Sequence, residues 1–124
     1  MTKKEYFAPL RWGMIGCGDV TEIKSGPAYQ KTVGFELKAV MSRNENRVKD
    51  YALRHGVEKY YTDADALIDD AEIDAVYIAI PPDSHLFYAL KVATKGKACC
   101  IEKPLAPNYE ESKKIALAFK KNNI

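Results

Sequence analysis

Short apolar runs alternate with amphipathic stretches along the chain, and turn-forming residues stand at nearly every junction. That rhythm is βαβα, and strands joined through helices by short loops make a parallel sheet with right-handed crossovers. The strand candidates are Leu10 to Ile15, Phe35 to Met41, a short one at Tyr60 and Tyr61, Ala75 to Ile80, and Ala98 to Ile101. The fourth is apolar throughout, as expected of a central parallel strand covered by helices on both faces.

Between the strands the period becomes that of a helix. Leu86, Ala89, Leu90 and Ala93 fall on one face, and Lys95 followed by Gly96 closes the segment as a cation and a glycine stop. Val48, Tyr51 and Ala52 repeat the pattern one unit earlier, ahead of His55 and Gly56. Near the C-terminus Asn108 and Glu111 have capping-box spacing, with Ile115, Ala116 and Phe119 behind them. Thr62 with Asp65 is expected to cap a short helix around Ala66 to Ile68. The first helix is expected to start near Asp19 and break at Gly26 and Pro27, because proline removes a donor and disfavours a helical residue before it.

In a doubly wound sheet the ligand lies beyond the carboxyl ends of the strands, where the winding reverses. The segments after Ile15, Met41, Ile80 and Ile101 therefore carry the candidate chemistry. After the first strand comes Gly16-Cys17-Gly18-Asp19-Val20-Thr21. Two glycines permit a tight turn and bring backbone N–H groups toward a pyrophosphate, whose charge the helix N-terminus favours. Thr21 takes the third glycine position, which implies a slightly wider helix-to-strand spacing. The second strand ends in Met41-Ser42-Arg43-Asn44, where dinucleotide folds hold the adenosine ribose. No acidic residue stands there to accept the two ribose hydroxyls and repel a 2′-phosphate. Ser42 can donate to ribose or phosphate, and Arg43 can pair with a phosphate, stack on adenine, or simply stand solvated in the loop. This set favours NADP over NAD.

Ile80-Pro81-Pro82-Asp83-Ser84-His85 follows the fourth strand. The prolines end the strand and make a rigid wall beside the cofactor, and Asp83 or Ser84 can cap the next helix. His85, in that helix's first turn, reads either as a cofactor-side group or as a capping or packing residue. After the fifth strand Glu102-Lys103-Pro104 places charges at the carboxyl edge of the sheet, facing the cleft or joined in a surface ion pair.

Composition narrows the class. The chain has 124 residues, 47% hydrophobic and 29% charged, with a net charge of +2. This is an ordinary globular composition and the length of one domain, with no room for a second of normal size. No stretch approaches the ~18 apolar residues of a membrane span, and Met1-Thr2-Lys3-Lys4-Glu5 lacks the apolar core of a signal peptide, so a cytoplasmic location is expected. The charge carries no basic footprint for nucleic acid or an anionic membrane, which leaves a small molecule as the expected partner. Cys17, Cys99 and Cys100 lack zinc spacing and read as reduced thiols in small buried volumes, and no metal site is expected.

Taken together, Gly16-Cys17-Gly18, Ser42-Arg43, Pro81-Pro82-Asp83-Ser84-His85 and above all Glu102-Lys103-Pro104 resemble the Gfo/Idh/MocA family of NAD(P)-dependent oxidoreductases, from about Leu10 to the end of the chain. Glucose-fructose oxidoreductase and inositol dehydrogenase are members. The resemblance implies a Rossmann domain with a doubly wound parallel sheet, and a hydride passed between the nicotinamide and a sugar, polyol or related alcohol or carbonyl. It implies that Gly16, Cys17, Gly18, Asp19, Val20, Ser42, Arg43, Ile80, Pro81, Pro82, His85, Glu102 and Lys103 face NADP or NAD. Lys103 would bind or polarise the reacting oxygen, with Glu102 near the carboxamide or orienting Lys103. Family members exceed this length, and a second α/β domain carries their substrate contacts. Residues 1–124 are accordingly expected to be the cofactor domain of a longer protein, inactive alone and homo-oligomeric through the domain it lacks. Asn122-Asn123-Ile124 falls where a further strand would begin. Nucleotide-sensing regulators use the same domain without moving a hydride. Lys103 argues for an enzyme, since a sensor needs no polarising group beside the ring.

Overall fold

Three layers form because both faces of the sheet are apolar and each demands a cover. The computed structural model describes residues 9–17, 26–80, 84–101 and 108–121. Their order is β1 (Leu10–Ile15), α1 (Gly26–Lys31), β2 (Phe35–Met41), α2 (Glu45–His55), β3 (Lys59–Tyr61), α3 (Ala64–Asp69), β4 (Ala75–Ile78), α4 (His85–Thr94), β5 (Ala98–Ile101) and α5 (Tyr109–Lys121). The five strands are parallel in the order β3-β2-β1-β4-β5, so the winding reverses between β1 and β4.

Trp12, Met14, Ala75 and Tyr77 point to one face, under Val48, Tyr51 and Ala52 of α2 and Tyr29 of α1. Ile15, Val76 and Ile78 point to the other, under Leu67 and Ile68 of α3, Ala89 and Val92 of α4 and Ile115 of α5. One irregularity reconciles β2 with both. Trp12 pairs with Leu37 but Gly13 pairs with Ala39, so Lys38 is an extra residue in the ladder. The bulge reverses the alternation: Leu37 stays with Trp12, while Ala39 and Met41 turn to the face of α3 and α4. Gly13 lets α3 close on that face, since a Cβ there would lie 2.5 Å from Leu67 Cδ2.

Several sequence expectations change. Gly26 and Pro27 open α1, where a proline in the first turn loses only an N–H that has no partner within the helix. The expected start near Asp19 lies outside the described residues. β4 stops at Ile78, two residues short, and the Ile80 carbonyl turns to the His85 ring instead of a neighbouring strand. β3 begins at Lys59. Asp63, not Thr62, caps α3, its carboxylate accepting the Asp65 N–H. The buried stripe of α4 is His85, Ala89, Val92 and Ala93, with Leu90 40% exposed. Small Ala89 and Ala93 let the helix approach the sheet closely, which leaves the longer leucines on its flanks. In α5 Ala116 is exposed while Ile115 and Phe119 pack inward. Cys17 is buried, but Cys99 is half-buried and Cys100 exposed, because β5 lies at the edge of the sheet. Burial pushes the Cys99 thiol up to about 12.

The expected helix ends stand. Gly56 and Gly96, both left-handed, close α2 and follow α4. Asn108 Oδ1 accepts the Glu111 N–H at 3.0 Å, and the Glu111 carboxylate accepts from Asn108 Nδ2 at 3.1 Å. No helix among the described residues is long and apolar enough to cross a membrane.

Candidate functional site

The strand ends at the switch point are tied to one another beyond the sheet proper. Gly16 N–H donates to Met41 O at 2.8 Å, Ala79 N–H to Ile15 O at 2.9 Å and Ser42 N–H to Tyr61 O at 3.2 Å. These bonds fix the exits of β1, β2, β3 and β4 as one floor. Above it opens a cleft of about 420 Å³. Ile15, Gly16 and Cys17 line it from β1, Met41 to Asn44 from β2, and Arg47 from α2. Ala79 and Ile80 follow from β4, with Ser84 and Tyr88 at α4.

Gly16 makes the closeness of this floor possible. Its φ is +114°, and a Cβ would strike the Ala79 carbonyl oxygen, so residue 16 must lack a side chain on two counts. Next to it the Cys17 thiol donates to Met41 O at 3.8 Å.

The β2 side of the cleft is cationic. Ser42 Oγ accepts the Asn44 N–H at 3.2 Å, and Asn44 Oδ1 accepts the Arg47 N–H at 3.1 Å, capping α2. The chain is thereby turned so that Arg43 and Arg47 both line the cleft beside the positive end of an eleven-residue helix. No carboxylate lies among the described lining residues. Two guanidiniums and a serine hydroxyl suit a phosphate, which forked N–H donors hold through paired oxygens. Sequence reasoning passed over Arg47, Tyr88 and Ala79. Arg47 was within reach, because an Asn44 cap puts it in the first turn, four residues from Arg43.

Of the sequence-predicted site residues, the structure gathers Gly16, Cys17, Ser42, Arg43 and Ile80 in this cleft. His85 is fully buried behind the cleft, not among its lining residues, with Nε2 2.6 Å from Ile80 O. Ser84 takes the cap position of α4 without a side-chain bond to it. Gly18, Asp19, Val20, Pro81, Pro82, Asp83, Glu102 and Lys103 lie outside the described residues. Among the described residues no cluster of His, Cys, Asp and Glu could hold a metal ion.

A family model described as an oxidoreductase family with an NAD-binding Rossmann fold, Gfo/Idh/MocA, matches residues 10–124. A curated relative, oxidoreductase P35 of Formosa agariphila, is 50% identical over 115 residues, which cover 93% of this chain and 36% of the relative. The NADP-dependent scyllo-inositol 2-dehydrogenase of Bacillus subtilis is 30% identical over 117 residues, 93% of this chain and 35% of that protein. Among solved structures, a 3-ketoreductase from Actinomadura kijaniata in complex with TDP-benzene and NADP superposes with a TM-score of 0.87 at 28% identity. That match covers 94% of this chain and 36% of the reductase. The chain thus spans about a third of the length of the relatives it matches.

Proposed function

The chain belongs to the Gfo/Idh/MocA oxidoreductase family as an NAD(P)-binding Rossmann domain, and from that premise we propose that its cleft prefers NADP to NAD. The observation that carries this reading is the pairing of Arg43 and Arg47 beside Ser42 in a cleft whose described lining has no carboxylate. The two guanidiniums hold the 2′-phosphate of the adenosine ribose. Ser42, its Oγ already accepting from Asn44, donates its own proton to ribose or phosphate. The Gly16 turn lets the pyrophosphate approach the backbone at the start of the sheet's switch point.

In the same proposal the whole protein is a dehydrogenase or reductase of a sugar, polyol or related alcohol or carbonyl. The bound nicotinamide supplies the hydride acceptor or donor. Lys103, two positions after Ile101 in sequence, holds the substrate oxygen and stabilises negative charge as it develops there, and Glu102 serves the nicotinamide carboxamide or orients Lys103. The substrate contacts and the group that completes proton transfer come from a second domain, through which the protein forms a homo-oligomer. The 124-residue chain alone binds nucleotide without turnover. The test is nicotinamide absorbance in the whole protein with NADP and a panel of polyols and aldoses. Turnover on any of them supports an enzyme; tightly bound nucleotide with no turnover on the panel makes the domain a nucleotide sensor.

A further inference from the structure

The wall of the cleft on the far side of β1 from Arg43 includes Ala79 and Ile80, beside Ser84 and Tyr88 at α4. It stands just beyond the end of β4, where the last backbone bond to β1 is that of Ala79. Ile80 packs partly against the core under α3 and α4, and two further contacts among the described residues hold the wall. Ala79 is bonded to Ile15 and packs on Gly16, and a Cβ on Gly16 would lie 3.0 Å from Ile80 Cγ2. On the other side the Ile80 carbonyl meets His85 Nε2 at 2.6 Å. A carbonyl only accepts, so Nε2 carries the hydrogen. His85 has no exposed surface, and its ring meets the cleft lining at the Ile80 carbonyl.

We propose that His85 is a positioning residue for the dinucleotide: it ties the exit of β4 to the first turn of α4 through the Ile80 carbonyl and so fixes the wall against which the cofactor lies, without touching the cofactor. The proposal rests on the cleft being the dinucleotide site. It also predicts which half of the ligand depends on the tie. The adenosine end at Ser42, Arg43 and Arg47 is secured by its own bonds to Tyr61 and Asn44, none of which involves His85. Losing the tie lowers the fraction of chains with the wall in place, and the affinity of a ligand spanning the cleft falls by that fraction.

The test compares His85→Gln, which keeps an N–H able to reach the carbonyl, with His85→Met, of similar length and without a donor. Each chain is titrated with NADPH and with adenosine 2′,5′-bisphosphate, and its urea midpoint is measured. The Met chain is expected to bind NADPH about five- to tenfold more weakly than the Gln chain, as one hydrogen bond allows, with bisphosphate affinities within about twofold. A packing role alone moves both ligands together or tracks the urea midpoints, and either result overturns the proposal. Equal NADPH affinities overturn it too. In the wild-type chain, imidazole nitrogen shifts that place the hydrogen on Nδ1 overturn it without any variant. A wild-type chain that binds neither ligand overturns the reading of the cleft and the role of His85 with it. Binding of both ligands with no difference between Gln and Met removes His85 alone.

Discussion

Gly16 and Ala79 meet backbone to backbone at the switch point: the space that a Cβ on residue 16 would need is filled by the Ala79 carbonyl. This contact lets the ends of β1 and β4 share the floor of the cleft. Gly16→Ala adds a left-handed strain of roughly 1–3 kcal/mol to that collision. A urea melt is expected to show a loss of about 2 kcal/mol or more. Nucleotide affinity falls with it, because the chain can relieve the clash only by parting the two strand ends. A variant as stable as the wild type would show that the turn tolerates a side chain.

A second expectation concerns acid. Asp70 accepts from Tyr61 Oη at 2.5 Å, from the Glu72 N–H at 2.8 Å and from Lys59 Nζ at 3.0 Å. The tyrosine bond above all, then the Glu72 N–H and Lys59, hold its carboxyl at about 2, against the opposing effect of burial. A carboxyl held below its unfolded value stabilises the fold above that value and loses the contribution as it is protonated. Stability should therefore decline as pH falls from about 4 toward 2, by roughly 1–2 kcal/mol from this group. Tyr61→Phe removes the largest cause. Urea melts across that range should show the variant less stable at neutral pH and its acid slope shallower; parallel curves would mean that the bond does not set the titration.

Lys103 is tested in the whole protein. Lys103→Ala or Lys103→Met should lower turnover by about a hundredfold or more, in line with loss of one charge-stabilising donor, while NADP still binds. Turnover near that of the wild type would remove Lys103 from the chemistry.

What could be read from the residues, and what could not, divides along a physical line. Patterns that one segment satisfies by itself were legible: the strand runs of β1, β2 and β5, the glycine stop at Gly56, and the Asn108 cap. The clustering of Gly16, Ser42 and Arg43 was legible too, because parallel winding obliges the strand ends to meet. Features decided by a neighbour were not. Leu86 and Leu90 mark a helix as well as Val92 does, and only packing on the sheet selects the stripe with the two alanines. Gly26-Pro27 suits a helix start as well as a stop. The Lys38 bulge leaves no mark on composition, since its cause is the need of Leu37 and Ala39 to reach opposite layers. For His85 a cofactor-side group and a capping or packing residue both stayed open, because only its neighbours decide where the ring turns, here to a carbonyl five residues back.

On the proposed reading, Arg43 and Arg47 select NADP. Calorimetric titration of NADP and NAD into the 124-residue chain and its Arg43→Ala/Arg47→Ala variant, at one fixed salt concentration, tests it most directly. The wild type should bind NADP more tightly than NAD. In the variant the NADP to NAD affinity ratio should fall by about ten- to a hundredfold, the range of one or two charge-assisted bonds, with NAD affinity nearly unchanged. A wild-type chain that prefers NAD, or a variant that keeps the wild-type ratio, would contradict it.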